Sequence, residues 1–260
     1  MTLIITSLSK YGIVHASDSN LTDGNEENAG EGQKTFAIDY LNAGLTLAGA
    51  YSVNGVFMSI WMNNFIAEQQ VVPNITLQLF AENLRTSLEN EMLPEEKEGG
   101  SIIHIMGYVE ENGRTHPEFW FVRNIHHLNP ATGAYENVDE NFELTEDFWG
   151  RDDVGVNHLC QFRQPGIYGG QLYINGFSPG RIAYNIAKTQ LDNFFIDFWR
   201  ENHALGFRPP QTLAETEVLV KLYMQVINAL FLLRYAPGQI IGGNTQTHLI
   251  PQPANILHTR

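Results

Sequence analysis

The chain has 260 residues, 43% of them hydrophobic and 17% charged, enough for one large domain or at most two small ones with a self-sufficient apolar core. Its 29 acidic residues against 15 Lys and Arg give a formal charge of -14, which repels a phosphate backbone and excludes nucleic-acid binding. The lone Cys160 excludes an intramolecular disulfide framework, suits a reducing compartment and reads as a small core filler.

The first residues carry no basic leader, and hydroxyls interrupt their apolar run, so the expected location is the cytoplasm. No stretch approaches the roughly 18 apolar residues of a membrane span. Residues 220–233 come nearest and are broken by Lys221, Gln225 and Asn228, so no membrane partner is expected. Without a secretory route, the sequons at Asn20 and Asn74 read as chance matches.

In chain order, residues 2–8 and 13–17 read as two apolar strands around a turn at Ser9 to Gly12, so the chain begins inside its own sheet. Residues 20–33 hold three glycines and four acids and read as a loop. Residues 36–38 and 45–49 form a second predicted hairpin. From Ser52 the period becomes helical: Val56, Ile60, Phe65 and Ile66 mark one helix, and after Pro73, Leu77, Phe80, Leu84 and Leu88 mark another. Residues 101–109 and 118–122 flank a turn containing Asn112-Gly113. Residues 124–153 mix Asn, Pro, Gly and acids without a sustained period and read as an acidic insertion or long loop. A strand at 171–174, helices at about 179–201 and 213–235, and a last strand at 247–250 complete the chain. Strands, two helices, strands, two helices and a closing strand segregate helices from antiparallel sheets. The expected architecture is α+β: a single domain over 1–260, built as a four-layer αββα sandwich of two antiparallel sheets flanked by helices.

The segment Gly176-Phe177-Ser178-Pro179-Gly180 matches G-x-S-x-G between a predicted strand and helix. A nucleophile elbow needs the N–H after its serine as an oxyanion donor, and Pro179 has none. Ser178 as N-cap and Pro179 at the first helical position explain the same residues structurally. Phosphate-loop, dinucleotide-loop and H-E-x-x-H patterns do not occur, and His126-His127 lacks a spaced partner, so neither cofactor nor metal is expected.

A distributed constellation begins at the N-terminus. Methionine aminopeptidase removes Met1 before a small residue, and the residue it would expose is Thr2. An N-terminal threonine carries hydroxyl nucleophile and amine base together, and its α-amine, with a pKa near 8, can accept the hydroxyl proton directly or through one water. A retained Met1 would block that amine. Such a site also needs a cation, a carboxylate to hold it, and a backbone donor for the oxyanion. Lys34, Asp18 and Gly49 stand at the ends of three successive predicted strands.

The opening Thr2-Leu-Ile-Ile-Thr-Ser-Leu-Ser-Lys-Tyr-Gly12-Ile-Val-His-Ala-Ser-Asp18-Ser19 resembles that of the proteasome β-subunit family of N-terminal nucleophile hydrolases, nearest its bacterial ancestral proteasome-like homologues. The resemblance implies Thr2 as nucleophile, Asp18 as the aspartate that orients the lysine, and Lys34 as that lysine, with the spacing of all three preserved. Leu47-Ala48-Gly49-Ala50 looks like the family's Ala-Gly-Gly segment, which implies the Gly49 N–H as oxyanion donor, with one extra residue between lysine and glycine. Ser19, Asn20, Ala50 and Tyr51 then fall at substrate-binding positions, and the pocket beside Gly49 would suit a small-to-medium apolar side chain. The family's later serine and aspartate have no clear equivalents; Ile241-Gly242-Gly243 precedes the last strand as expected. The resemblance implies a threonine-type hydrolase of amide bonds, acting on peptides in a homo-oligomeric ring, with or without an ATPase partner. A catalytically silent ring subunit and a small-amide acylase are the alternatives.

Overall fold

The computed structural model describes residues 2–22, 28–111, 113–128, 135–146, 171–176, 181–233 and 242–254. The N-terminal apolar runs form a hairpin of β1 (Leu3–Ser9) and β2 (Gly12–Asp18). A small ribbon of β3 (Asn20–Thr22) and β4 (Asn28–Glu31) leads to β5 (Thr35–Ile38) and β6 (Ala43–Gly49). Then come β7 (Ser52–Val53), β8 (Val56–Phe57), α1 (Met58–Gln69), α2 (Leu77–Glu91) and the single turn α3 (Pro94–Lys97). Strands β9 (Ser101–Glu111), β10 (Arg114–Leu128) and β11 (Tyr135–Glu146) follow. The last described elements are β12 (Gln171–Gly176), α4 (Arg181–Glu201), α5 (Leu213–Leu232) and β13 (Thr245–Pro251).

Two antiparallel sheets carry the site. The first runs β12-β1-β2-β13 and the second β11-β10-β9-β6-β5. Side chains alternate across each strand, so each sheet presents two faces. Ile4, Leu8 and Ile13 of the first sheet pack on Ala48, Ile102, Met106 and Phe119 of the second. Leu3, Ile5 and Val14, on the opposite face, pack on Val220, Tyr223 and Ile227 of α5. The outer face of the second sheet, through Leu45, Leu47, Ile103 and Ile105, receives Met62 and Phe65 of α1 and Phe80, Leu84 and Leu88 of α2. Both faces of β1 and β2 are therefore covered, which is why every residue of both strands is buried. Each large aliphatic side chain so enclosed stabilises the fold by about 1.5–3 kcal/mol before entropy is counted. Hydroxyl caps start the long helices: Thr76 accepts from the Leu79 N–H and Thr212 from the Glu215 N–H, each at 3.1 Å.

Three segments differ from expectation. Residues 52–57 are a tight β7–β8 hairpin, because Asn54 (φ +50°) and Gly55 (φ +73°) supply the left-handed turn that such a loop requires. Val56 and Ile60 are consequently exposed, and the buried stripe of α1 is Met58, Trp61, Met62 and Phe65. The polar stretch 20–33 contains the paired strands β3 and β4. The stretch 124–153, read as an irregular acidic insertion, is strand through Leu128 and again from Tyr135 to Glu146. Its period is hidden by a register shift in the β10–β11 ladder and by acids that an edge strand uses to stay unpaired on its open side.

Met1, Cys160, residues 177–180 of the G-x-S-x-G match and Ile241 lie outside the described residues, as do the side chains of His126 and His127. Among the described residues no helix is long and apolar enough to cross a membrane.

Candidate active site

Thr2 immediately precedes β1, Asp18 ends β2 and Lys34 immediately precedes β5, so strand ends from both sheets converge. The β1–β2 register pairs Ile4 with Ser17, which sets Asp18 beside the start of β1. Its Oδ1 accepts the Leu3 N–H at 2.8 Å, and its Oδ2 accepts the Gly242 N–H at 3.4 Å. The carboxylate thus closes the hairpin and fixes the backbone on which Thr2 sits.

Lys34 reaches across from the second sheet. Its Nζ donates to Thr2 Oγ1 at 2.9 Å, to Asp18 Oδ1 at 3.3 Å and to the carbonyl of Asn20, which occupies all three ammonium protons. Thr2, Asp18 and Lys34 are 6%, 2% and 3% exposed. Burial pushes the lysine down from its ordinary pKa, and the Asp18 charge opposes that shift. Burial likewise pushes Asp18 up, against the pull of Lys34 and of the Leu3 and Gly242 N–H groups. Water removed from such a pair strengthens its field, so the ammonium acts strongly on the hydroxyl oxygen beside it.

The lysine backbone is held as firmly as its side chain. Gln246 of β13 accepts the Lys34 N–H at 2.8 Å and the Thr35 N–H at 3.3 Å through Oε1, and its Nε2 donates to the Gly32 carbonyl at 2.7 Å. The Lys34 carbonyl accepts the Leu47 N–H at 3.0 Å. One amide from the last strand of the first sheet therefore ties down the lysine segment of the second. The sequence signal for it is slight: Gln246 is a polar residue in line with His248 and Ile250 on one face of an alternating strand.

Gly49 ends β6 with φ +114°, and a Cβ there would lie 2.1 Å from the Gly100 carbonyl oxygen, so only glycine fits. Leu47 donates toward Lys34, and strand alternation turns the Gly49 N–H, two residues on, to that same edge. The Ala50 N–H turns the other way and donates to Ser101 Oγ at 3.2 Å.

The four expected substrate-binding positions separate into two groups. Ser19 and Asn20 are 1% and 2% exposed and belong to the frame: Ser19 Oγ accepts the Asn244 N–H at 2.8 Å, and the Asn20 carbonyl holds Lys34. Ala50 is 8% exposed, and Tyr51, at 41%, meets Phe57 edge-on at 5.1 Å. Tyr51 is the one of the four that offers an open apolar wall. Among the described residues no group of three or more His, Cys, Asp or Glu is arranged to hold a metal ion.

The chain matches no protein-family model, and a search of curated proteins finds no match. The arrangement can supply a buried hydroxyl polarised by an ammonium, a carboxylate that fixes that ammonium, and a backbone N–H directed to the same edge.

Proposed function

We propose that the protein is a threonine-type N-terminal nucleophile hydrolase of amide bonds, with an αββα sandwich of that class and peptides as its substrates. The observation that carries the reading is the 2.9 Å contact from Lys34 Nζ to Thr2 Oγ1, at the first strand of a sheet, with Asp18 behind it.

Removal of Met1 frees the Thr2 α-amine. The amine takes the hydroxyl proton, directly or through one water, as Oγ1 attacks the substrate carbonyl carbon. Lys34 stabilises the charge developing on Oγ1, and the Gly49 N–H donates to the carbonyl oxygen as it becomes an oxyanion. Collapse breaks the C–N bond, and the ammonium of Thr2 returns its proton to the leaving amine. Water, activated by the same amine, then attacks the Thr2 ester and releases the carboxylic acid. No cofactor enters the scheme. A cytoplasmic homo-oligomeric ring completes the proposal; exposed apolar side chains such as Ile60, Phe194 and Ile196 supply surface for such contacts.

Fluorogenic peptides and small amides, assayed side by side with the unsubstituted protein and Thr2→Ala, test this reading. Turnover falls to background in Thr2→Ala while the thermal melt is kept; equal turnover in the two proteins contradicts it.

A further inference from the structure

Glycine leaves the chain free on both sides of its Cα, so a glycine N–H is held most firmly in one direction when neighbouring groups fix both adjoining peptides. The peptide before Gly49 is held in the β6–β9 ladder, where Gly49 pairs with Ser101 and Ala48 with Ile102. The peptide after it leaves the ladder, and there the Ala50 N–H donates to Ser101 Oγ at 3.2 Å. Ser101 is itself fixed. It is 2% exposed, and its own N–H donates to Asn124 Oδ1 at 2.6 Å.

Asn124 is fully buried, and its Nδ2 donates to the Lys97 carbonyl at 2.9 Å and to the Asp139 carbonyl at 3.1 Å. The side-chain amide therefore spends one acceptor and both donors on three separate segments. Its place follows from the β10–β11 irregularity. Arg123 pairs with Glu143 and Ile125 with Val138, so residues 139–142 leave the ladder opposite Asn124. The bulge brings the Asp139 carbonyl to the amide, and the Asp139 carboxylate accepts the Asn141 N–H at 3.0 Å within the same turn.

We infer that Ser101 and Asn124 are positioning residues for the Gly49 oxyanion donor, acting through the Ala50 peptide, and that the bulged edge of β11 is part of the support of the active site. The inference rests on the hydrolase reading above. Ser101 orients the peptide that follows Gly49, and Asn124 orients Ser101 against α3 and β11. Neither touches the reacting atoms.

The test is Ser101→Ala, with Ser101→Thr as the conservative rescue and Asn124→Ala as the remote variant. Turnover of a fluorogenic peptide is measured together with inhibition by a peptide boronate, whose tetrahedral adduct places an oxygen at the oxyanion position. Removing a direct oxyanion donor costs about a hundredfold to a thousandfold in kcat, so loosening one is expected to cost about tenfold to a hundredfold. In Ser101→Ala, kcat and boronate affinity fall together by that factor while KM changes less than twofold; Ser101→Thr restores both, and Asn124→Ala lowers both. Amide hydrogen exchange on the unsubstituted protein is independent of how the variants fold, and the Ala50 amide is expected to exchange with the slow core class. Exchange of Ala50 at open-loop rates overturns the inference. So does a folded Ser101→Ala protein with unchanged kcat and boronate affinity, in a background where Thr2→Ala is inactive. An unsubstituted protein without Thr2-dependent turnover removes the hydrolase reading, and the inference with it.

Discussion

Two polar clusters are buried between the same two sheets, and they are built to opposite ends. At the edge of the sandwich, Lys34, Asp18 and Thr2 form a charged group whose ammonium is aimed at a hydroxyl. In the middle, Thr6 Oγ1 lies 3.3 Å from His15 Nδ1 and 3.0 Å from His104 Nδ1, while His15 Nε2 lies 3.1 Å from the Met106 carbonyl oxygen. All three of these residues are fully buried. Burial holds His15 down at about 3 and His104 well below its ordinary value, with the neighbouring imidazoles His248 and His15 adding to the respective shifts. The central cluster is therefore neutral, and through Thr6 and His104 it joins the two sheets. The edge cluster pairs the Lys34 amine with the Asp18 carboxyl and brings it to the Thr2 hydroxyl. Burial is common to both clusters; what sets the edge cluster apart, and what the proposed function rests on, is a charged group directed at a hydroxyl.

The largest effect that separates the clusters is expected in Lys34→Met, which removes the cation from Thr2 and lowers peptide turnover by at least about a thousandfold. Asp18→Ala leaves a buried ammonium without its counter-charge and destabilises the protein by about 3–5 kcal/mol in a denaturant melt. The double variant Asp18→Asn, Lys34→Met regains much of that stability and none of the activity. A double variant that regains activity breaks the assignment of charge to function.

The central cluster answers to pH instead. Its histidines stay neutral in the fold, whereas in the unfolded chain they take up protons below about 6.5. The contribution of His15 to stability is thus fully present above that pH and is lost as pH falls toward about 3, at about 1.4 kcal/mol per pH unit, and the contribution of His104 is lost in the same direction. Urea unfolding at a series of pH values measures the slope, and His15→Gln reduces it by one proton. A slope that His15→Gln leaves unchanged contradicts the neutral assignment.

The smallest effect is expected in Gln246→Ala, which touches neither cluster's titratable atoms. It strips an acceptor from the Lys34 and Thr35 N–H groups and a donor from the Gly32 carbonyl. A loss of about 1–3 kcal/mol in stability and about tenfold in kcat is expected, read by thermal melt and steady-state kinetics.

The edge cluster was legible in the sequence because its members are strand-end residues near the N-terminus. A hydroxyl, an acid and a lysine at Thr2, Asp18 and Lys34 need only two hairpins to bring them close. The supports were not legible. Gln246, Ser101 and Asn124 come from the far strands β13, β9 and β10, and their roles depend on register and on a bulge, neither of which leaves a local pattern. The same bulge hid β11, whose Phe142 is buried while Asp139, Glu140 and Asn141 are exposed. In residues 52–57 an Asn-Gly turn overrode a helical spacing, since Val56 falls in register with Ile60 by chance and neither is buried. The long helices were legible for the converse reason: Leu77, Phe80, Leu84 and Leu88 repeat on one face and all enter the core.

In the proposed function Thr2 acts with both its hydroxyl and its free amine. Intact-mass analysis of the purified protein before and after treatment with a peptide epoxyketone tests it most directly, because the morpholine adduct requires both groups on one residue. The expected result is a chain that has lost Met1, gains one inhibitor mass at Thr2, and gains none as Thr2→Ala. A chain that has lost Met1 and forms no adduct would contradict it.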